Sequence, residues 1–137
     1  MGLVRFGVSI EKDLLYKFDN LCRKNNYANR SEAFRNLIRK ELVGQEWRLG
    51  DEVVGAVTLV YDHHKKELVN KLTDIQHNFQ GLIISTQHIH LDHDNCLEII
   101  AARGEAGKIK NMADTLRSVK GVKHGTLSMS STGKHIK

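Results

Sequence analysis

Proline is missing altogether from these 137 residues, and cysteine occurs only twice, as Cys22 and Cys96. Without proline, short turns fall to Gly and Asn. Two cysteines cannot build a disulfide framework, and their scarcity suits a reducing cytoplasm. No apolar run approaches the ~18 residues of a membrane span. The opening stretch "MGLVRFGVSIEKD" lacks the basic segment and long apolar core of a secretory signal. A nucleophile elbow, an H-E-x-x-H pair and a phosphate loop are also absent, which turns the reading away from an enzyme. There are no internal repeats or low-complexity segments. What remains is 40% hydrophobic and 27% charged, an ordinary globular composition in a chain long enough for one medium domain or two very small ones.

The charge is uneven. Residues 1–50 carry 10 Lys/Arg against 6 Asp/Glu, the remainder carries 11 against 10, and all eight histidines lie beyond residue 62. A modest positive excess alone is weak evidence for nucleic acid. The first segment is more specific. Val4, Phe6, Val8 and Ile10 alternate with Arg5, Gly7 and Ser9, which predicts a half-buried strand. "EKDLLYKFDNLCRKNN" and "YANRSEAFRNLIRKELV" follow with apolar residues at helical spacing, the second opening on a capping box from Asn29 to Glu32. One strand and two short helices bury too little to fold alone, and the strand's backbone groups need partners. Pairing with the same strand of a second chain solves both problems.

"GQEWRLG", residues 44–50, breaks the pattern and reads as a linker. Beyond it, "EVVGAVTLVYD" reads as a strand, "KKELVNKLTDIQHNF" as a helix, "GLIISTQHIHLD" and "CLEIIAARG" as strands, "EAGKIKNMADTLRSV" as a helix and "GVKHGTLSMS" as a strand. That order, β-α-β-β-α-β, is the ferredoxin-like arrangement. The expected class is α+β, with a β-α-α domain over residues 1–43 and the ferredoxin-like domain over residues 51–131. The tail, residues 132–137, is expected to fray.

Within "QHIHLDHDNC", His88 and His90 are two apart on a strand, so both rings leave one face. An antiparallel return brings Cys96 back near the end of that strand. His77 lies near the end of the preceding helix. Three imidazoles and a thiolate complete a four-coordinate set, which suits Zn, Ni or Cu, and spacing does not choose among them. A single strand histidine is more often hydrogen-bonded or solvated than a ligand; the H-x-H pair with a nearby cysteine tips the balance. His93, in the turn, is the weaker case. His63, His64 and His135 are expected in solvent, and His124 is undecided. Glu98 is a candidate acceptor holding a ligand's N–H. A closed, non-catalytic site is the better reading. A ferredoxin-like metalloenzyme is the rival from another class.

Arg5, Gly7 and Ser9 form the polar face of a ribbon able to enter the major groove. Water alone makes any exposed strand face polar, so this face decides nothing by itself. Free N–H groups around Asn29, Arg30 and Ser31, at the start of the second helix, add a phosphate site.

Taken together, the short strand, "DLLYKFDNL", "NRSEAFRNLIR", "HHKKEL", "QHIHLDHDNCLEI" and "GVKHG" closely resemble the nickel-responsive repressors of the NikR family over nearly the whole chain. The resemblance implies a ribbon-helix-helix DNA-binding domain joined to an ACT-like regulatory domain in a homotetramer, a dimer of dimers. It implies one Ni(II) per subunit, held in a plane by His88, His90 and Cys96 of one subunit and His77 of the facing one. It also implies a cytoplasmic repressor of nickel-uptake genes that binds double-stranded palindromic operator DNA, with no membrane partner. Arg5 and Ser9 would then read bases, Asn29 and Arg30 would lie near phosphates, and Lys65 and Lys66 would touch the DNA backbone. A regulator of the same architecture answering to Zn, Cu or Co is the nearest alternative. Two departures stand out. Gly7 occupies the middle base-reading position, where the familiar pattern has threonine. Glu32 matches a secondary cation position, but Asn36 stands where an aspartate is often seen.

Overall fold

The computed structural model describes residues 2–137. The chain divides into two compact units, one ending at Lys40 and the other spanning Glu41–Lys137.

In the first unit, α1 spans Lys12–Lys24 and α2 begins at Arg30. Asn26 between them takes a φ of +57°, a left-handed conformation that asparagine tolerates better than most residues. The Tyr27 N–H then closes back on the Cys22 carbonyl at 3.0 Å. Asn29 caps α2 as its sequence position predicts, its Oδ1 accepting the Glu32 N–H at 2.9 Å. The reciprocal half of the box differs: the Glu32 carboxylate turns to Arg35 instead. Cys22 and Ala33 are buried, and Phe34 packs against Phe18 and Phe6 with ring centroids 5.2 and 6.3 Å away. Ahead of α1, residues 3–10 lie outside any sheet of the described residues. Their alternate side chains Val4, Phe6, Val8 and Ile10 are exposed, Phe6 by 72%.

The linker expected at residues 44–50 is replaced by helix: α2 runs Arg30–Leu49, straight through Gly44. A helical glycine costs about 1 kcal/mol relative to alanine. Here that is offset by anchoring of the last turns, where Trp47 packs on the core of the second unit and its indole N–H donates to the Ser130 carbonyl at 2.8 Å. Gly50, at φ +76°, ends the helix.

The second unit carries β1 (Glu52–Tyr61), α3 (Lys66–Asn78), β2 (Ile83–His90), β3 (Cys96–Glu105), α4 (Ala106–Arg117) and β4 (Val122–Ser130), the β-α-β-β-α-β order read from the sequence. The strands form one antiparallel sheet in the order β2-β3-β1-β4. Period-2 alternation aims Val53, Val57, Leu59 and Tyr61 of β1, and Cys96, Ile100 and Ala102 of β3, into one core with Leu72 and Ile75 of α3 and Ile109, Met112 and Leu116 of α4. Each fully buried aliphatic side chain contributes roughly 1.5–3 kcal/mol, which makes this face the stable platform for what stands at its end. Among the described residues, no helix is long and apolar enough to cross a membrane.

Candidate functional site

The β2–β3 ladder pairs His90 with Cys96 and His88 with Glu98. Cross-strand partners share a face, so two imidazoles, a thiol and a carboxylate leave the sheet together, on the side where Cys96 and Glu98 are buried. Glu98 is only 1% exposed, and a buried carboxylate must be hydrogen-bonded to survive there. Its Oε1 accepts the Tyr61 hydroxyl at 2.8 Å and its Oε2 accepts the Gln76 amide at 3.0 Å. The His88 Nε2 lies 3.4 Å from the same Oε2. Burial, reinforced by the carboxylate beside it, pushes the Tyr61 phenol well above its ordinary pKa and keeps it a donor.

The helix α3 is tied into this network through Gln76, one residue before His77. His77 itself is exposed in the last turn of α3. The only group of three metal-ligand atoms within 4.8 Å of one another among the described residues is His64, His93 and Asp94. A single chain therefore does not gather His77, His88, His90 and Cys96 into one cluster, although the ladder aligns the last three.

Three features of the site escaped the sequence reading. Tyr61 and Gln76 complete the shell of Glu98, and His63 is half-buried. Its Nδ1 is buried without a partner, and its ring sits 4.6 Å from His90 and 4.2 Å from His64. Burial, with the neighbouring imidazoles of His64 and His90, lowers its pKa. His64 is exposed, as expected, but its Nε2 lies 2.7 Å from the His93 carbonyl. An H-H dipeptide after a strand is too common to single out these contacts.

The donor set fits a late transition metal, since paired imidazoles beside a buried thiol combine nitrogen and soft sulfur ligands, and a carboxylate stands behind one ring. Elsewhere, Arg5, Gly7 and Ser9 are exposed, and nothing lies within 4 Å of a Cβ added at Gly7. Arg30 forms a two-pronged pair with Asp19, both contacts at 3.0 Å. Asn36 donates its amide to the Glu32 carbonyl at 2.8 Å. Lys65 and Lys66, at the start of α3, line an open cleft of about 1090 Å³ with Lys71 and Lys120.

Residues 54–130 match the family of the NikR C-terminal nickel-binding domain, and residues 4–43 match the ribbon-helix-helix proteins of the CopG family. The chain belongs to the NikR family. Nickel-responsive regulators from Syntrophus aciditrophicus and Pyrococcus furiosus are 54% and 53% identical to it, over 132 and 137 residues, covering 96% and 99% of both chains respectively. One from Solibacter usitatus is 56% identical over 137 residues, covering 99% of both chains. An uncharacterized protein from Thermotoga maritima superposes with a TM-score of 0.52 at 14% identity, covering 58% of this chain and 98% of its own; that likeness concerns the fold alone. The NikR chain is a nickel-responsive regulator with a DNA-binding ribbon-helix-helix domain and a nickel-binding domain, and not an enzyme.

Proposed function

We propose that this NikR protein is a cytoplasmic repressor of nickel-uptake genes that binds a palindromic DNA operator when loaded with nickel. It works as a homotetramer, a dimer of dimers, with residues 1–43 as the DNA-binding domain and residues 51–131 as an ACT-like domain for metal binding and tetramerisation. One Ni(II) per chain is held by His88, His90 and Cys96 together with His77 of the partner subunit. Held by these residues, nickel would supply a Lewis-acidic centre there. The observation that carries this reading is the ladder register, His90 opposite Cys96 and His88 opposite Glu98, in a chain matched to a nickel-binding domain.

The chain's own residues do the coupling. Glu98, held by Tyr61 and Gln76, presents an oxygen to His88 and sets the orientation of its ring. Because Gln76 adjoins His77, the same carboxylate joins a chain's ligand strand to its own α3, whose His77 serves the site of the other subunit. In the first unit, pairing with a second copy covers Val4, Phe6, Val8 and Ile10 and turns Arg5, Gly7 and Ser9 toward base edges. The N–H groups at Asn29 and Arg30 face a phosphate, and Lys65 and Lys66 hold the backbone nearby. Glu32 serves a secondary cation position.

The test is a fluorescence-anisotropy titration of duplex DNA from upstream of the nickel-uptake genes of the source genome. The protein is metal-free, or loaded with Ni(II) or Zn(II), at fixed salt. Tight binding with nickel alone is expected; equal binding in all three forms removes nickel as the switch. Coupling is reciprocal, so the same DNA must also tighten nickel binding.

A further inference from the structure

Within the second unit, the last turns of α2 are fastened to the end of β4 and the residues after it. The Trp47 indole donates to the Ser130 carbonyl at 2.8 Å. Its ring closes over Gly55 of β1, where an added Cβ would meet Trp47 at 3.1 Å and the Ser128 carbonyl at 3.2 Å. One residue earlier, Glu46 is buried, 7% exposed. The Ser131 hydroxyl reaches both of its oxygens, at 3.0 and 3.3 Å, and in turn accepts the Gly133 N–H at 3.0 Å. The Glu46 carbonyl accepts the Asp51 N–H at 3.0 Å, and the Asp51 carbonyl accepts the Ala106 N–H at 3.0 Å. The beginning of the tail, expected to fray, is thus built into the structure.

A buried carboxylate is an expensive way to end a helix if packing is all that is needed, because an apolar residue would fill the space without desolvating a charge. What the carboxylate adds is direction, since it accepts a hydroxyl only from where Ser131 is placed. The other end of the same helix begins at Arg30, beside the Asn29 cap. α2 is one unbroken helix from Arg30 to Leu49, so the latched turns and the turn beside the Asn29 cap belong to the same element.

We infer that Glu46, Trp47 and Ser131 form a latch of positioning residues that couples the nickel-binding sheet to the DNA-contacting end of α2. The inference rests on the regulator reading above. The latch touches neither the nickel ligands nor the DNA-facing residues, and it acts through α2.

The experiment uses the full chain as wild type, Ser131→Ala, Ser131→Thr and Trp47→Phe. Nickel affinity is measured by competition with a chelator, and DNA affinity by anisotropy with and without nickel on the upstream duplex. Amide hydrogen exchange follows residues 46–51. Ser131→Ala and Trp47→Phe are expected to leave nickel affinity unchanged, speed exchange at residues 46–51, and cut the nickel-dependent gain in DNA affinity by about tenfold. Ser131→Thr, which keeps the hydroxyl, restores the gain. An undiminished gain in both variants overturns the latch. So does a matched loss of nickel affinity and thermal stability, which marks a merely structural role. A wild-type chain with no nickel-dependent gain instead overturns the regulator reading and takes the latch with it.

Discussion

His90 and Cys96 stand directly opposite each other on the last rung of the β2–β3 ladder. Residues opposed in this way hold their Cβ atoms about 4.5–5.5 Å apart, so the ring and the thiol are preset by backbone pairing before any ion arrives. Preorganisation of this kind reduces the ordering cost of binding. Cys96→Ala keeps the rung and removes the sulfur. The nickel–thiolate absorption band is expected to vanish, and DNA binding to fall to its metal-free level. Retained nickel-dependent DNA binding in this variant would remove Cys96 from the ligand set.

Glu98 stands beside His88, its Oε2 3.4 Å from the ring Nε2. Glu98→Gln keeps the size but places an amide N–H₂ among Tyr61, Gln76 and His88, where two hydrogen-bond donors already point at the carboxylate. Nickel affinity, read by chelator competition, should drop about 10–100-fold, the usual effect of losing the partner of a ligating histidine. Glu98→Ala additionally strands the buried Tyr61 hydroxyl and should cost about 1–3 kcal/mol of stability in denaturant unfolding. An unchanged nickel affinity in Glu98→Gln would leave the residue a structural role only.

Two glycines at the junction of α2 and β1 respond oppositely to the same change. At Gly44 an added Cβ meets only the far end of the Arg48 side chain, at 3.2 Å. Gly44→Ala should therefore stabilise the chain by about 1 kcal/mol through helix propensity. At Gly55 the new atom meets the Trp47 ring, the Ser128 carbonyl and Leu127, all within 3.3 Å. Gly55→Ala should destabilise by about 1–3 kcal/mol through overpacking. Thermal melts of the two variants check both signs.

Asp19 and Arg30 bring pH into the first unit. The Arg30 guanidinium, by hydrogen bond and by charge, holds the Asp19 carboxyl below its ordinary value. A carboxylate with a depressed folded pKa contributes stability that is present above the unfolded value and lost as pH falls through the folded one. The contribution of this pair should therefore persist at neutral pH and vanish in acid. NMR of the Asp19 carboxyl carbon checks it: Arg30→Ala should move the midpoint up toward the ordinary value. If Arg30 also meets a phosphate, the same variant lowers the salt dependence of DNA binding by about one counterion.

Under the proposed function, Gly7 bears on operator choice. With open space around it, Gly7→Thr should fold normally and add a side-chain contact in the groove. Selection from a random DNA pool is then expected to return a different preferred half-site for the variant, with the salt dependence unchanged. The same half-site for both chains would show that position 7 does not read bases.

Local pattern in the chain was enough to read both helices of the first unit, the β-α-β-β-α-β order of the second, the shared face of His88 and His90, and the return of Cys96 toward them. Each of these depends on periodicity within a few residues or on a tight hairpin. The polar–apolar alternation of residues 3–10 predicted a strand, but in the single chain these residues join no sheet, because a ladder needs a partner that local pattern does not supply. Tertiary structure decided what depends on distant partners. Tyr61 meets Glu98 from 37 residues away, because β1 happens to be the strand beside β3. His63 is drawn against His90 by the packing of a loop whose sequence looks solvated. Helix α2 continues through Gly44 because Trp47 and Glu46 find anchors 83 and 85 residues further on. The propensity of the segment itself argued for a break, and burial against β4 outweighed it.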